Sequence, residues 1–440
     1  MHRAIDETLM EWAADPRPRP LLLRGARQVG KTYSVRRLGA RFRHFAELNL
    51  DEHPEASVFF AGELSARALV EKLSVFTRTP ILPGETLLFL DEAQACPRAL
   101  AALRYFQEQL PGLHVIAAGS LLEFALEEMP SLGVGRITSR FMYPMTFVEF
   151  LEGIGEGALL APLNAADFAH PLDEPFHRRL IGCLRTYMTI GGLPGVVAQY
   201  AERRAPLEAM GRLDDLLLGF QDDFAKYRRR TPTARLAETF RSVARQAGGK
   251  FVYAHVNREA KSIAIREALE LLVKAGLVVL AHHTSANGIP LGAEADDTAF
   301  KAFLADLGLH QRLLALDLSE LVALDDLGFV NRGAMAECFA ALQLASHSSL
   351  THRPELFYWH REAMNATAEV DLLLQRGDRI VPVEVKAGLR GSMKSLRIFL
   401  AEKKLPTGVR LSLENFSSLP DVRILPLYAV HRLLDPALPL

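Results

Sequence analysis

Cysteine is nearly absent: three in 440 residues, Cys96, Cys183 and Cys338, each far from the others. That spacing excludes a disulfide framework and a zinc-binding pattern, and it fits a reducing compartment, so a cytoplasmic location is expected. A surplus of either charge is also lacking, with 51 Lys and Arg against 52 Asp and Glu and a formal net charge of -1. A chain so balanced has no global attraction to nucleic acid, and any DNA-binding surface must be local. The densest basic run, KYRRR from Lys226 to Arg230, is short enough to be a solvated patch. Long apolar runs are missing too. MHRAIDETLMEWAADP carries acids where a signal peptide needs an uninterrupted apolar segment, and LELLVKAGLVVLA is short and holds Glu270 and Lys274, so no membrane span is expected.

What is present is the material of a folded chain. Hydrophobic residues make up 49% and charged residues 23%, which permits extensive burial and argues against a largely disordered protein. The length exceeds one ordinary core and suggests roughly three domains. No low-complexity linker or clear repeat marks their borders.

The first motif is PRPLLLRGARQVGKTYSVRRL. An apolar run, Leu21 to Leu23, precedes Gly25, Ala26, Arg27, Gln28, Val29, Gly30, Lys31 and Thr32, and a helical pattern starts at about Tyr33. This is G-x(4)-G-K-T in its strand-to-helix context. Backbone N–H groups of such a loop curl around phosphate oxygens and the helix offers its positive end. Lys31 reaches the outer phosphates, and the Thr32 hydroxyl suits magnesium, so ATP and Mg2+ are the expected ligands. Downstream, TLLFLDEAQ reads as a buried parallel strand, Leu87 to Leu90, that ends in Asp91 and Glu92. Asp91 is placed to hold the metal, and Glu92 to polarise an attacking water. The apolar run LHVIAAGS ends in Ser120, which either lies near the terminal phosphate or simply closes a strand. Arg136 and Arg140, in GRITSRF, are either fingers for a neighbouring subunit or surface arginines.

The second concentration of charge is AEVDLLLQRGDRIVPVEVKAG, residues 368–388. Gly377-Asp378 is a favoured two-residue turn, and it sets Arg376 opposite Arg379, Leu374 opposite Val381, Leu372 opposite Val383 and Val370 opposite Val385. One face is then apolar. The other puts Asp371 across from Glu384, and Glu369 across from Lys386 as an ordinary cross-strand ion pair. Opposed carboxylates repel unless a divalent cation is held between them. Pro382 donates no ladder bond and suggests an edge strand or a bulge.

Between the two motifs the pattern is mostly helical. GGLPG, Gly191 to Gly195, is a turn signal with a structural purpose. SIAIREALELLVKAGLVVLAHH has Ile265, Leu269, Leu272 and Val273 at helical spacing, then Gly276 as a cap and a strand-like run, an order that suits a winged helix. Its helix either enters a DNA groove, with Lys261, Arg266 and Lys274 toward phosphates, or packs inside its own domain.

Taken in order, GARQVGKT, LLFLDEAQ, AAGS, GRI with YPMTFVEFL, YMTIGGLPGVV, YWHREAMNATAEVDLLL and VPVEVKAG resemble the prokaryotic AAA-superfamily P-loop ATPases that carry a winged-helix segment and a C-terminal restriction-endonuclease-like domain. The resemblance covers nearly the whole chain. One departure is His360, which stands where the resemblance implies Arg. It implies an α/β fold in three parts: a parallel-sheet ATPase domain at 1–155, a helical connector and winged helix at 156–325, and an α/β nuclease-like domain at 326–440. It further implies that Asp371, Glu384 and Lys386 form a D…E-x-K core. Asp371 and Glu384 would hold magnesium against a scissile phosphate, Lys386 would orient the attacking water, and Glu337 would add an acid from the preceding helix. The expected partners are ATP and DNA, with a protein partner and self-association left open. Three functions follow as expectations. The first is an ATPase coupled to a DNA-directed nuclease module, and the second is an ATP-controlled adaptor with an idle nuclease-like domain. The third, a metabolic kinase, explains the P-loop but neither the helical middle nor the charged hairpin.

Overall fold

A computed structural model describes residues 1–62, 64–127, 135–227, 231–314, 332–363, 366–388 and 392–440. Arg228, Arg229 and Arg230 of the basic run, and the expected domain border at 325/326, lie outside the described residues.

Five strands form the N-terminal sheet: β1 (Leu21–Arg24), β2 (His44–Asn49), β3 (Thr86–Asp91), β4 (His114–Ala118) and β5 (Thr138–Phe141). All pairings are parallel, in the order β2-β3-β4-β1-β5. The runs LLL, TLLFLD and HVIAA are continuous because these strands are covered on both faces, and every residue of β3 and β4 is buried. One layer of helices includes Lys31–Gly39; the other includes Ala66–Thr77 and Pro97–Gln109, packed on Leu88, Leu90 and Val115. Because β4 lies between β1 and β3, the loops after all three strands open at the same sheet edge.

The second sheet has eight strands: β6 (Val278–Thr284), β7 (Ala295–Leu304), β8 (Leu356–Ala363), β9 (Ala366–Arg376), β10 (Arg379–Val385), β11 (Gly408–Ser412), β12 (Ser417–Ser418) and β13 (Val422–Pro426). Their order is β12-β13-β11-β10-β9-β8-β6-β7. The hairpin has the expected register from Arg376↔Arg379 through Leu372↔Val383, with Gly377 at φ 62 in the turn. Two expectations are corrected. β10 is an interior strand: Pro382 faces Leu373, and pairing with β11 begins only after it, at Val383↔Val409. Beyond Leu372 the Val385 amide donates to Asp371 Oδ2 at 2.7 Å, and Glu369 pairs with Lys301 at 2.6 Å in place of Lys386.

The helix Thr233–Arg245 precedes the helix Ser262–Lys274, which is followed by β6 in the expected order of helix, cap and strand; β7 pairs with β6. Gly276 caps the second helix as expected, at φ 73, with Gly276 N donating to Val273 O and Leu277 N to Leu272 O. Yet β6 pairs in parallel with β8 over Ala281–His283, so the two strands extend the C-terminal sheet across the expected border. One apolar cluster runs from Ile5 through Phe147, Tyr187 and Phe339 to Tyr428, joining the N-terminal sheet to the C-terminal one. Cys96, Cys183 and Cys338 are buried and unbridged. Among the described residues no helix is long and apolar enough to cross a membrane.

Candidate functional site

The loop after β1 has the backbone of a phosphate cradle. Gly25 sits at φ 144, and a Cβ there would lie 2.3 Å from the Met142 carbonyl oxygen, so no larger residue fits. Gln28 adopts φ 67 and Gly30 φ 97, the latter capping the helix Lys31–Gly39. A non-glycine residue in the left-handed region costs energy that the surrounding fold must supply, and such strain is characteristic of ligand sites. Lys31 is buried, and its Nζ donates to the carbonyls of Gly25 at 2.9 Å and Ala26 at 2.8 Å. Burial pulls its pKa down to about 8, against the charges of Glu92 and Asp91. Phosphate oxygens would replace those carbonyls as partners for the ammonium.

Thr32 Oγ1 donates to Asp91 Oδ2 at 2.8 Å, so the two groups expected to hold magnesium already touch. Burial raises the Asp91 pKa, opposed by the Thr32 hydroxyl and the Glu92 amide. The pair of oxygens fits a hard cation that keeps its waters and shares a phosphate. Glu92 stands at φ 46, and its Oε2 accepts from Gln94 Nε2, which holds the carboxylate beside the loop. A cavity of about 520 Å3 is lined by Lys31, Thr32, Tyr33, Glu92 and Ser120. Ser120 thus joins the loop residues, as one of its two readings required. Arg136 pairs with Glu108 at 2.7 Å and Arg140 lies on the edge strand β5; neither lines this cavity.

Three contributors were invisible as site residues in the sequence. Pro194 and Gly195, at the start of the helix Pro194–Arg203, line the same cavity. Arg3, nearly fully buried, donates to Glu149 Oε1 at 2.9 Å, to the Val29 carbonyl of the loop at 2.6 Å and to the Tyr143 carbonyl at 2.8 Å.

The second cluster lies on the C-terminal sheet. It brings together Glu337 from the helix Arg332–Ser348, Glu369 and Asp371 from β9, Glu384 from β10 and Lys386 just after it. At its centre is Lys301 of β7, which sequence reasoning missed. Its Nζ, fully buried, is 2.7 Å from Glu337 Oε1, 2.6 Å from Glu369 Oε1 and 3.9 Å from Asp371 Oδ1. The available signal was a lysine inside the apolar strand run AFKAFL, where an unpaired ammonium would be prohibitive. Burial lowers the lysine's pKa, but Glu337, Asp371 and Glu369 together outweigh it, and the ammonium is held charged. Lys386 pairs with Glu384, whose second oxygen, Oε2, is buried without a hydrogen-bond partner. His360 faces Glu369 across β8 and β9.

Burial and the neighbouring Asp371 charge push the Glu384 pKa from 4.5 to about 7. An acid raised on folding favours the folded state in its protonated form. Its contribution is therefore full below the unfolded pKa and is lost as pH rises through about 7. Glu384→Gln cannot ionise and is expected to flatten that fall, which chemical unfolding measured from about pH 5 to about pH 8 would read.

Residues 17–151 match the AAA domain family. This region is an AAA-type P-loop ATPase domain. Residues 182–320 and 332–430 match two families described as domains of unknown function, DUF8612 and DUF4143. No curated protein matches the chain. Similar solved structures include a Walker-type ATPase of Pyrococcus abyssi, with 19% identity, 71% of this chain and 95% of that one covered, and a TM-score of 0.46. Drosophila ORC bound to DNA aligns at 13% identity over 71% of this chain and 95% of that one, with a TM-score of 0.29. Cdc6p from Pyrobaculum aerophilum aligns at 13% over 71% and 92%, with a TM-score of 0.25.

The AAA domain and the C-terminal sheet meet at the phosphate loop. A Cβ on Gly276, just past the helix Ser262–Lys274, would approach Ala26 N to 3.1 Å, and Lys274 pairs with Glu127 at 2.5 Å. That helix buries Ile265, Leu269 and Leu272, and Arg266 pairs with its own Glu270 at 3.6 Å, so the inward-packing reading holds for its apolar face and Lys274 is engaged by the AAA domain. Arg27 of the loop pairs with Asp223. In the GGLPG turn, Gly192 N donates to Asp306 Oδ2 at 2.7 Å, and a Cβ on Gly191 would lie 2.3 Å from Asp306 Oδ1. Asp306 follows the end of β7, the strand that carries Lys301.

Proposed function

We propose that the chain is an ATP-hydrolysing switch whose nucleotide state is passed to a C-terminal nuclease-like module directed at DNA. The observation that carries this reading is the Gly192–Asp306 hydrogen bond. One end of the GGLPG turn supplies Pro194 and Gly195 to the phosphate cavity, and the other is tied to the strand of the acid cluster. A bound nucleotide that presses on Pro194 therefore bears on β7. The helix Arg332–Ser348 offers a second route, since Gln343 Oε1 accepts from the Phe147 amide at 2.7 Å while Glu337 of the same helix reaches Lys301. A magnesium ion at Thr32 and Asp91 would neutralise phosphate charge; Lys31 binds the outer phosphates and Glu92 orients the water. Arg136 or Arg140 serving a neighbouring copy belongs to the same proposal.

The reading is tested with linear, circular and single-stranded DNA, with magnesium or manganese, and with and without ATP. ATP-dependent DNA affinity supports the switch. Cleavage that stops in Asp371→Asn and Glu384→Gln while ATP turnover persists supports a nuclease module. Lys386→Ala is expected to lose cleavage as well. DNA that stays intact under every condition, with ATP-sensitive binding to DNA or to a protein, supports the adaptor reading instead. That second reading is favoured by one observation, the Lys301 ammonium already standing among the acids. Intact DNA, together with binding to DNA and to protein that is indifferent to nucleotide, would sink both.

A further inference from the structure

We infer that Lys301 is the resident cation of the C-terminal acid cluster, and that this ammonium, in place of a divalent metal, neutralises Glu337 and Glu369. The inference stands on the cluster's geometry and holds whether or not the module engages DNA.

An ammonium carries three N–H donors, and this one spends two of them on Glu337 and Glu369 at 2.7 and 2.6 Å. Asp371 Oδ1 stands farther off at 3.9 Å, and the Tyr358 ring centroid lies 5.1 Å away, adding its negative face to the surroundings. A buried charge is tolerated only where such partners offset its lost hydration. The converse also holds: a buried acid such as Glu337 needs a cation, and β7 delivers one covalently. The resemblance implies a magnesium ion at Asp371 and Glu384 with Glu337 as a further acid, but the Lys301 ammonium already supplies positive charge to Glu337 at 2.7 Å and to Asp371 at 3.9 Å. A cation shared by Glu337 would meet a like charge close by, because the Lys301 ammonium stands 2.7 Å from Glu337 Oε1. Asp371 Oδ2 is spent on the Val385 amide and Glu384 Oε1 on Lys386. Glu384 Oε2 has no hydrogen-bond partner, and Asp371 Oδ1 faces the same Lys301 ammonium at 3.9 Å. Among the described residues no three His, Cys, Asp or Glu are grouped so as to hold a metal ion.

The test uses the full chain without nucleotide. Wild-type melting is expected to be the same in chelator and in millimolar Mn2+. Electron paramagnetic resonance should detect no bound Mn2+ that disappears on Glu337→Gln or Asp371→Asn. Lys301→Met, close in shape but uncharged, leaves the acids without a counter-ion. It is expected to melt lower in chelator, to recover with Mn2+, and to acquire a Mn2+ signal that Glu337→Gln removes. Lys301→Arg, which keeps the charge, should stay insensitive to Mn2+. Wild-type Mn2+ binding lost on Glu337→Gln or Asp371→Asn would overturn the inference, as would a Lys301→Met protein that behaves like wild type in both buffers. If Lys301→Met fails to fold even with Mn2+, the wild-type titration alone decides.

Discussion

Lys31→Ala is expected to cost about 2–5 kcal/mol of ATP affinity, the loss typical when one partner of a buried charged pair is truncated. Lys31 is held beneath the cradle by the Gly25 and Ala26 carbonyls, and burial pulls its pKa down to about 8. Arg27 also lines the cavity but is paired with Asp223. Glu92→Gln should behave differently. It removes a water-polarising carboxylate and leaves the phosphate contacts intact, so binding should persist while turnover falls by about 10²–10⁴-fold. Equilibrium binding and steady-state hydrolysis on the two variants separate these roles. Equal loss of affinity in both, with folding intact, would mean that Glu92 has been assigned the wrong role.

Arg3→Ala is expected to destabilise the AAA domain by about 3–5 kcal/mol, the cost of breaking a buried pair and leaving one charge behind. Arg3 and Glu149 are both nearly fully buried, and Glu149 also accepts from the amides of Ala4 and Thr146. Truncation leaves that carboxylate without its cation and frees the Val29 carbonyl of the phosphate loop, so ATP affinity should fall as well. Arg3→Lys should rescue little, because one ammonium cannot copy a fork that meets Glu149, Val29 and Tyr143 in three directions. Replacing both partners with apolar residues, Arg3→Met with Glu149→Leu, should recover much of the stability. Denaturant unfolding of the single and double variants checks the pattern, and an additive double variant would contradict it.

The phosphate loop and the Asp91–Glu92 strand end were legible because their signals are local: a glycine spacing, an apolar run, a strand-to-helix switch. The hairpin register was legible for the same reason, as far as the turn residues set it. Legibility stopped where the partner lies far along the chain. Lys301 reads as an oddity in AFKAFL until the fold brings Glu337 and Glu369 to it, and Glu369 accordingly leaves Lys386 for Lys301. Arg3 looks like a terminal surface residue until Glu149, 146 positions on, is packed against it. GGLPG was read as a turn, which it is, but its two functional contacts belong to the phosphate cavity and to Asp306, 114 positions from Gly192. The strand-like run after Gly276, β6, suits a winged helix in sequence. β6 pairs with β8, which makes β6 and β7 part of the C-terminal sheet, and that pairing depends on a partner 75 positions away, Ala281 to Leu356.

The central claim is that nucleotide at the phosphate loop reaches the strand of the acid cluster. Amide hydrogen exchange on the full chain, with and without a non-hydrolysable ATP analogue, tests it most directly. The account predicts that protection changes in the loop from Gly25 to Thr32 are accompanied by changes at Gly191–Leu193 and along β7 to Asp306, and that Lys31→Ala abolishes all of them together. Nucleotide-dependent changes confined to the AAA domain, with Gly192 and β7 exchanging at the same rate in both states, would contradict it.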